Sequence, residues 1–216
     1  MKTINFFAVC LMVLPLQLTS CESTDESLSI VNETELVSTD EPLSITAFSS
    51  NPDSVNYSDQ TGLTLMREEE KMARDVYAYF YEKFQYRIFG NITKSENRHS
   101  DAVLNLLNYF QYADPSTNVT GTFTNTDLQN LYTKFTTEAI TVDDALKTGA
   151  FIEEYDIADL KKLISETTNV DIKNVYSNLM RGSGFHLKAF TGVLAARGII
   201  YQPTILSVDE YNAIIK

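Results

Sequence analysis

The chain has no tryptophan, and only two histidines and two cysteines among its 216 residues. Two cysteines exclude a disulfide-stapled scaffold and a cysteine-rich zinc site. Any chemistry that needs imidazole must use His99, His186 or both. Positive charge is scarce as well: 17 Lys and Arg stand against 29 Asp and Glu, for a formal net charge of -12. Phosphate binding needs clustered Lys and Arg, so this balance argues against DNA or RNA as a partner. Proline is rare, with only Pro115 and Pro203 after Asp53. Long windows are therefore free for helices. No alternating strand pattern and no fixed-period repeat is visible there. What the chain does have is apolar residues, 44% of the total, enough for one domain with a real core.

The first residues have the form of a targeting segment. Met1-Lys2 is a basic start, and Asn5 to Leu18 is mostly apolar. Such a stretch is too short for a stable transmembrane span and fits a secretory signal peptide. It ends in Leu18-Thr19-Ser20-Cys21, and a small residue directly before Cys resembles the bacterial lipobox. The resemblance implies a signal over residues 1–20 and a lipid on Cys21; an ordinary signal with an incidental cysteine is the alternative. Cys10 lies inside the signal. Between Glu22 and Met66 there is no Lys or Arg, while nine acids occur among Ser, Thr and Asn. That composition buries too little apolar surface to offset chain entropy. Residues 21–55 are thus expected to form a disordered acidic tether, and 56–216 the folded domain. Beyond Met66 the charges are nearly balanced, 20 acids against 16 bases.

Helical spacing of apolar residues predicts a first helix over 59–84, with Leu65, Met66, Ala73, Val76, Tyr77 and Phe80 on its stripe. A second is predicted over 93–112, opened by Thr93-Lys94-Ser95-Glu96 in the form of a capping box and stopped by Asp114-Pro115. A shorter helix is predicted near 125–138. Two more long ones follow over 141–166 and 171–197, with Gly198 as a C-terminal cap. A last short helix opens at Ser207-Val208-Asp209-Glu210. The expected fold class is all-α. It is a ferritin-like four-helix bundle with one long crossover containing the extra helix, plus a short C-terminal helix.

Each long helix sets an acid or an imidazole in line with its apolar stripe. Glu68, Glu69 and Glu70 are consecutive, and three neighbours span roughly 200° of a helix, so at least one must face the core. Glu96 and His99, at i and i+3, share a face with Val103 and Leu106. Glu153 lies four before Ile157, Asp156 three further on, and His186 four before Phe190. Buried carboxylates are costly without a partner, and a cation at the bundle centre would balance them. Glu-x-x-His facing carboxylates on neighbouring helices is a di-iron or di-manganese ligand set. Such donors suit Fe, with Mn or Zn as alternatives. The competing reading is structural. In it the acidic triplet is a solvated face pairing with Lys71 and Arg74, Glu96 completes a capping box, and both histidines are hydrogen-bonded core residues.

Four segments carry a resemblance to a known family. They are Leu65-Met66-Arg67-Glu68-Glu69-Glu70-Lys71-Met72-Ala73-Arg74-Asp75-Val76-Tyr77; Asn91-Ile92 with Ser95-Glu96-x-x-His99; Gly149-Ala150-x-Ile152-Glu153-Glu154-x-Asp156-Ile157; and Arg181-Gly182-Ser183-x-x-His186-Leu187-x-Ala189-Phe190. Together they resemble the prokaryotic ferritin-like family known as domain of unknown function 2202, over roughly 60–212. More distantly, Glu70-x-x-Ala73-Arg74-x-x-Tyr77 is similar to the first metal-binding helix of rubrerythrins. That similarity implies metal ligands at Glu70 (Glu69 being its rival), Glu96, His99, Glu153, Asp156 and His186. Ser183 departs from the pattern, which would have Glu three before the histidine. The mature chain also lacks the cysteines of a rubredoxin-type iron.

The functional expectation is a lipoprotein of the bacterial cell envelope, on its periplasmic or surface face. It would bind one or two Fe or Mn ions and oxidise Fe(II) with O₂ or peroxide. The alternative is a non-catalytic metal-binding or structural lipoprotein. The expected partners are a membrane through Cys21, metal ions and, as an assembly, a homodimer, with no nucleic acid.

Overall fold

The computed structural model describes residues 48–51 and 55–216. The expected signal peptide, Cys21 and the tether up to residue 47 lie outside the described residues. Every regular element among those described is a helix: α1 Tyr57–Phe84, α2 Arg87–Tyr109, α3 Thr126–Glu138, α4 Val142–Glu166, α5 Val170–Ala196 and α6 Val208–Ile215. No helix among them is long and apolar enough to cross a membrane.

Local chemistry accounts for most helix ends. Asn56 with Asp59, Thr141 with Asp144 and Ser207 with Glu210 form reciprocal capping boxes at the starts of α1, α4 and α6. Gly198, at φ 76°, lets the chain turn out of α5, and Ile199 N donates back to Leu194 O at 2.9 Å. The start of α2 differs from expectation. It lies at Arg87, six residues early, with no side-chain cap. The Thr93 hydroxyl donates to Phe89 O at 2.7 Å within the helix, instead of capping it. Burial of Ile88, Phe89 and Ile92 against the core carries the extra turns. Glu96 therefore sits in mid-helix, and its capping role is overturned.

The four long helices form an all-α bundle. α1 pairs with α2 and α4 with α5 as hairpins; α1 also packs on α4, and α2 on α5. Gly62 near the start of α1 meets Leu163 near the end of α4, whereas Tyr77 reaches Gly149 near the start of α4. Hence α1 and α4 are antiparallel neighbours. In an up-and-down bundle the first and third long helices are diagonal, so residues 110–141 must traverse the bundle's length as a crossover.

Buried charges from α1 hold that crossover. Glu68 accepts from Thr124 N, Asn125 N and the Thr124 hydroxyl at 2.7, 2.8 and 2.6 Å. Lys71 pairs with Asp75 at 2.7 Å, donates to Val119 O and Thr122 O, and lies over the Phe123 ring. Arg67 forks onto Asp114 with two bonds of 3.0 Å. From α4, Glu154 accepts from Thr204 N and Ile205 N, both at 2.8 Å, and so ties down the segment before α6.

The apolar core is in two parts. One surrounds Tyr77, Phe80, Phe89 and Phe190; the other surrounds Leu63, Met66, Leu106 and Leu179. Between them, α1, α2, α4 and α5 each leave about a turn of polar residues. The packed chain also extends further upstream than residue 56. Phe48 packs on Tyr109 with tilted rings, their centres 5.0 Å apart. Ser49 N and Ser50 N both donate to Asp171, at 2.9 and 2.6 Å.

Candidate metal centre

The six expected ligand residues converge in that polar layer. Asp156 is 8% exposed and Glu70, Glu96, His99, Glu153 and His186 are 4% or less. His99 Nδ1 lies 2.9 Å from Glu96 Oε2 and 3.3 Å from Glu70 Oε2. His186 Nδ1 lies 2.8 Å from Glu96 Oε1 and 3.5 Å from Glu153 Oε2. The two rings stack at 5.4 Å between centres. Two three-residue groups result, Glu70–Glu96–His99 and Glu96–Glu153–His186, each with donor atoms within 4.8 Å of one another. Glu96 belongs to both, one oxygen turned to each histidine.

Despite these approaches, the directions are not those of hydrogen bonds. Both Nδ1 atoms, Glu70 Oε1 and Glu96 Oε1 are buried without a hydrogen-bond partner. Buried polar atoms are normally satisfied, so orphans grouped this closely call for a reason. Nitrogen and carboxylate donors aimed at a shared point fit a divalent transition metal in each group.

Supporting residues set the geometry. The Tyr77 hydroxyl donates to Glu153 Oε1 at 2.6 Å, turning that carboxylate's other oxygen toward His186. Ser183 donates to Asp156 and lies 3.0 Å from Leu179 O. The position lacking the expected glutamate is thus bonded to an acid reaching over from α4. Gly182 sits directly beneath His99: a Cβ there would come within 2.6 Å of Nε2.

Electrostatics follow from burial. Desolvation pushes the Glu70 carboxyl well above its usual range, with Asp156 adding to it and His99 opposing. Asp156 is pushed up to about 7 by burial against its Ser183 bond, with Glu153 and Glu96 adding. Glu153 is raised by burial, partly offset by His186. Glu96 is desolvated too, yet His186 and His99 hold it below the carboxylate range. Burial lowers the His186 imidazole, but Glu96 and Glu153 outweigh this and lift it to about 10. His99 is raised likewise by Glu96 and Glu70.

All three glutamates of the acidic triplet are buried, so a solvated face is excluded. Glu70 joins a donor group, Glu68 holds the crossover, and Glu69 belongs to neither. Three contributors were not picked out from sequence: Tyr77 as a hydrogen-bond partner, Gly182 as a clearance, and Asp159 beside Glu69. The first two left a trace, since Tyr77 lies seven residues after Glu70 and Gly182 interrupts a helix.

Comparisons with known proteins bear on the family and the fold. A protein of Methanocaldococcus jannaschii, the uncharacterized protein MJ0754, is 46% identical over 163 residues, spanning 74% of this chain and 88% of that one. The crystal structure of the same hypothetical protein superposes with a TM-score of 0.76 at 44% identity, covering 79% of this chain and 97% of that chain. The family model for an uncharacterized protein domain, DUF2202, matches residues 59–216. That match takes in all the donor residues and nearly all of the helical bundle, and the chain belongs to the DUF2202 family.

Proposed function

We propose that this bundle is a ferritin-like two-metal protein, with iron as the metal, held by Glu70, Glu96 and His99 on one side and Glu96, Glu153 and His186 on the other. The carrying observation is that two donor groups share Glu96 and contain buried nitrogen and oxygen atoms with no other partner. When bound, such a pair supplies one-electron chemistry toward O₂ or peroxide. The chain's own residues do the rest. Glu96 offers one carboxylate oxygen to each half. Tyr77 fixes the rotamer of Glu153, and the apolar clusters on both sides keep water out. With Ser183 in place of a glutamate, Glu96 is, among the described residues, the one carboxylate shared by both halves. That feature favours the second reading, binding without turnover.

Anaerobic titration of the full chain with Fe(II) tests the proposal, followed by exposure to oxygen and elemental analysis. Two equivalents bound with oxidation on exposure supports the oxidase; two bound without oxidation supports the binding protein. No retained Fe(II) or Mn(II), with identical melting in chelator, leaves only a structural role. We also propose that lipid on Cys21 holds the domain at the bacterial envelope. Cys21→Ser should release the protein from the membrane fraction, and unchanged fractionation would refute the anchor.

A further inference from the structure

Glu69 is the unexplained acid of this protein. It is 3% exposed, and no backbone, neutral or basic donor reaches either carboxylate oxygen; its hydrogen-bond contact is with another acid, Asp159. The charges acting most strongly on it, Asp156, Asp159 and Glu70, are all negative. It belongs to neither three-residue donor group. Glu69 lines a small cavity together with Glu70, Glu96, Glu153 and Asp156, so it borders the centre without being part of it. Of the residues lining that cavity, Tyr155 alone is not fully buried. The negative charges that act on Tyr155 are Glu69, half-buried Asp159 and exposed Asp127 at the start of α3. Acids of graded exposure, from Asp127 through Asp159 to Glu69, thus act around the one partly exposed residue of that lining.

We propose that Glu69 is the inner step of an acidic loading path, along which a divalent cation passes from Asp127 and Asp159, beside Tyr155, to the two donor groups. The inference rests on the two-metal reading and adds the route. A purely structural carboxylate would hold partners, as Glu68 does with three donors. A resident ligand would sit within reach of a histidine, as Glu70 does. Glu69 meets only the like-charged carboxyl of Asp159 and belongs to no group with a histidine; its negative surroundings draw cations inward while offering too few converging atoms to keep one. Fields focused in this way raise cation arrival rates by about 10-fold or more.

A path changes rates in both directions and leaves equilibrium alone. The test is stopped-flow absorbance of the full chain with Co(II), together with the rate of Co(II) release to excess chelator. Wild type should take up two equivalents. Glu69→Gln should take up two with unchanged affinity, but with loading and release both slowed by about 10-fold. Asp159→Asn, at a half-buried position, should slow loading less. Its effect should shrink as salt screens the outer acids, and it carries the rate test if Glu69→Gln fails to fold. Wild-type rates in both variants would overturn the path. Loss of one equivalent in Glu69→Gln would also overturn it, making Glu69 a resident ligand. Wild type that binds no Co(II) would sink the two-metal reading itself, a result distinct from either.

Discussion

Glu68 and Glu70 are two residues apart on one helix and equally buried, at 2% exposure each, yet their surroundings differ. Glu68 turns to the crossover and meets three donors. Glu70 turns inward, has one oxygen without a partner, and its other lies beside a histidine. The same contrast divides the molecule. On the outer face of α1, Lys71 and Asp75 form a closed network with loop carbonyls and amides; in the middle layer the acids outnumber their partners. Burial of a carboxylate therefore says little about its purpose. The number of its satisfied lone pairs separates scaffold from site.

The contrast can be broken most forcefully at Lys71. Lys71→Ala should leave Asp75 short of its nearest cation and cost about 3–5 kcal/mol, with or without metal, as chemical denaturation would show. Next comes the same change at both glutamates. Glu68→Gln should lower stability by about 1–3 kcal/mol in either state, because charged hydrogen bonds are lost. Glu70→Gln should change the metal-free protein little, or stabilise it, by relieving repulsion from Asp156. It should forfeit much of the metal's linkage contribution, about 2.7 kcal/mol when metal is at a hundredfold excess over Kd. Equal responses at the two positions, read by melting with Fe(II) and with chelator, would erase the distinction.

A pH scan sharpens the comparison further. Asp156 titrates at about 7 in the folded chain, above its ordinary 3.8. The folded state thus holds a proton that the unfolded chain has released. Its contribution is complete below the unfolded value and is lost as pH rises through 7. Glu70 and Glu153 have the same sign, and the histidines continue the trend, His186 up to about 10. Glu96 has the opposite sign and acts only in strong acid. The metal-free melting temperature should therefore fall from about pH 5 to pH 10. Metal needs deprotonated ligands, so the gap between loaded and metal-free melting should widen over the same range. The smallest effect is expected at the edge. Removing residues up to 55 deletes the Ser49 and Ser50 bonds to Asp171 and should cost about 1–2 kcal/mol without unfolding the bundle.

Much of the bundle was legible because apolar stripes and the capping box of Ser207 with Glu210 are local signals; the boxes at Asn56 and Thr141 were not read. Glu96, His99, Glu153 and His186 were legible for the same reason, each continuing a stripe, whereas Glu70 was picked out of its triplet only by the resemblance to rubrerythrins. The start of α2 was not legible. Gly90, Asn91 and Thr93 look like punctuation, and only packing of Ile88 and Phe89 against distant helices reveals the extra turns. Nor was the split within the acidic triplet. Adjacent residues differ by about 100° of rotation, and which direction meets the crossover depends on how residues 110–141 traverse the bundle. Ser183 illustrates the same limit, because its bond to Asp156 joins positions 27 residues apart.

Gly182 gives the two halves of the centre unequal fates. A glycine inside a helix costs about 1 kcal/mol relative to alanine, and here it leaves room for the edge of His99; His186 has no such neighbour among the glycine clearances. One added carbon, Gly182→Ala, should displace the first imidazole and spare the second. The centre thus contains its own means of desymmetrisation: a single methyl group turns a matched pair of donor groups into one intact half and one damaged half, and under the proposed two-metal reading the spectrum of each half is then assigned separately.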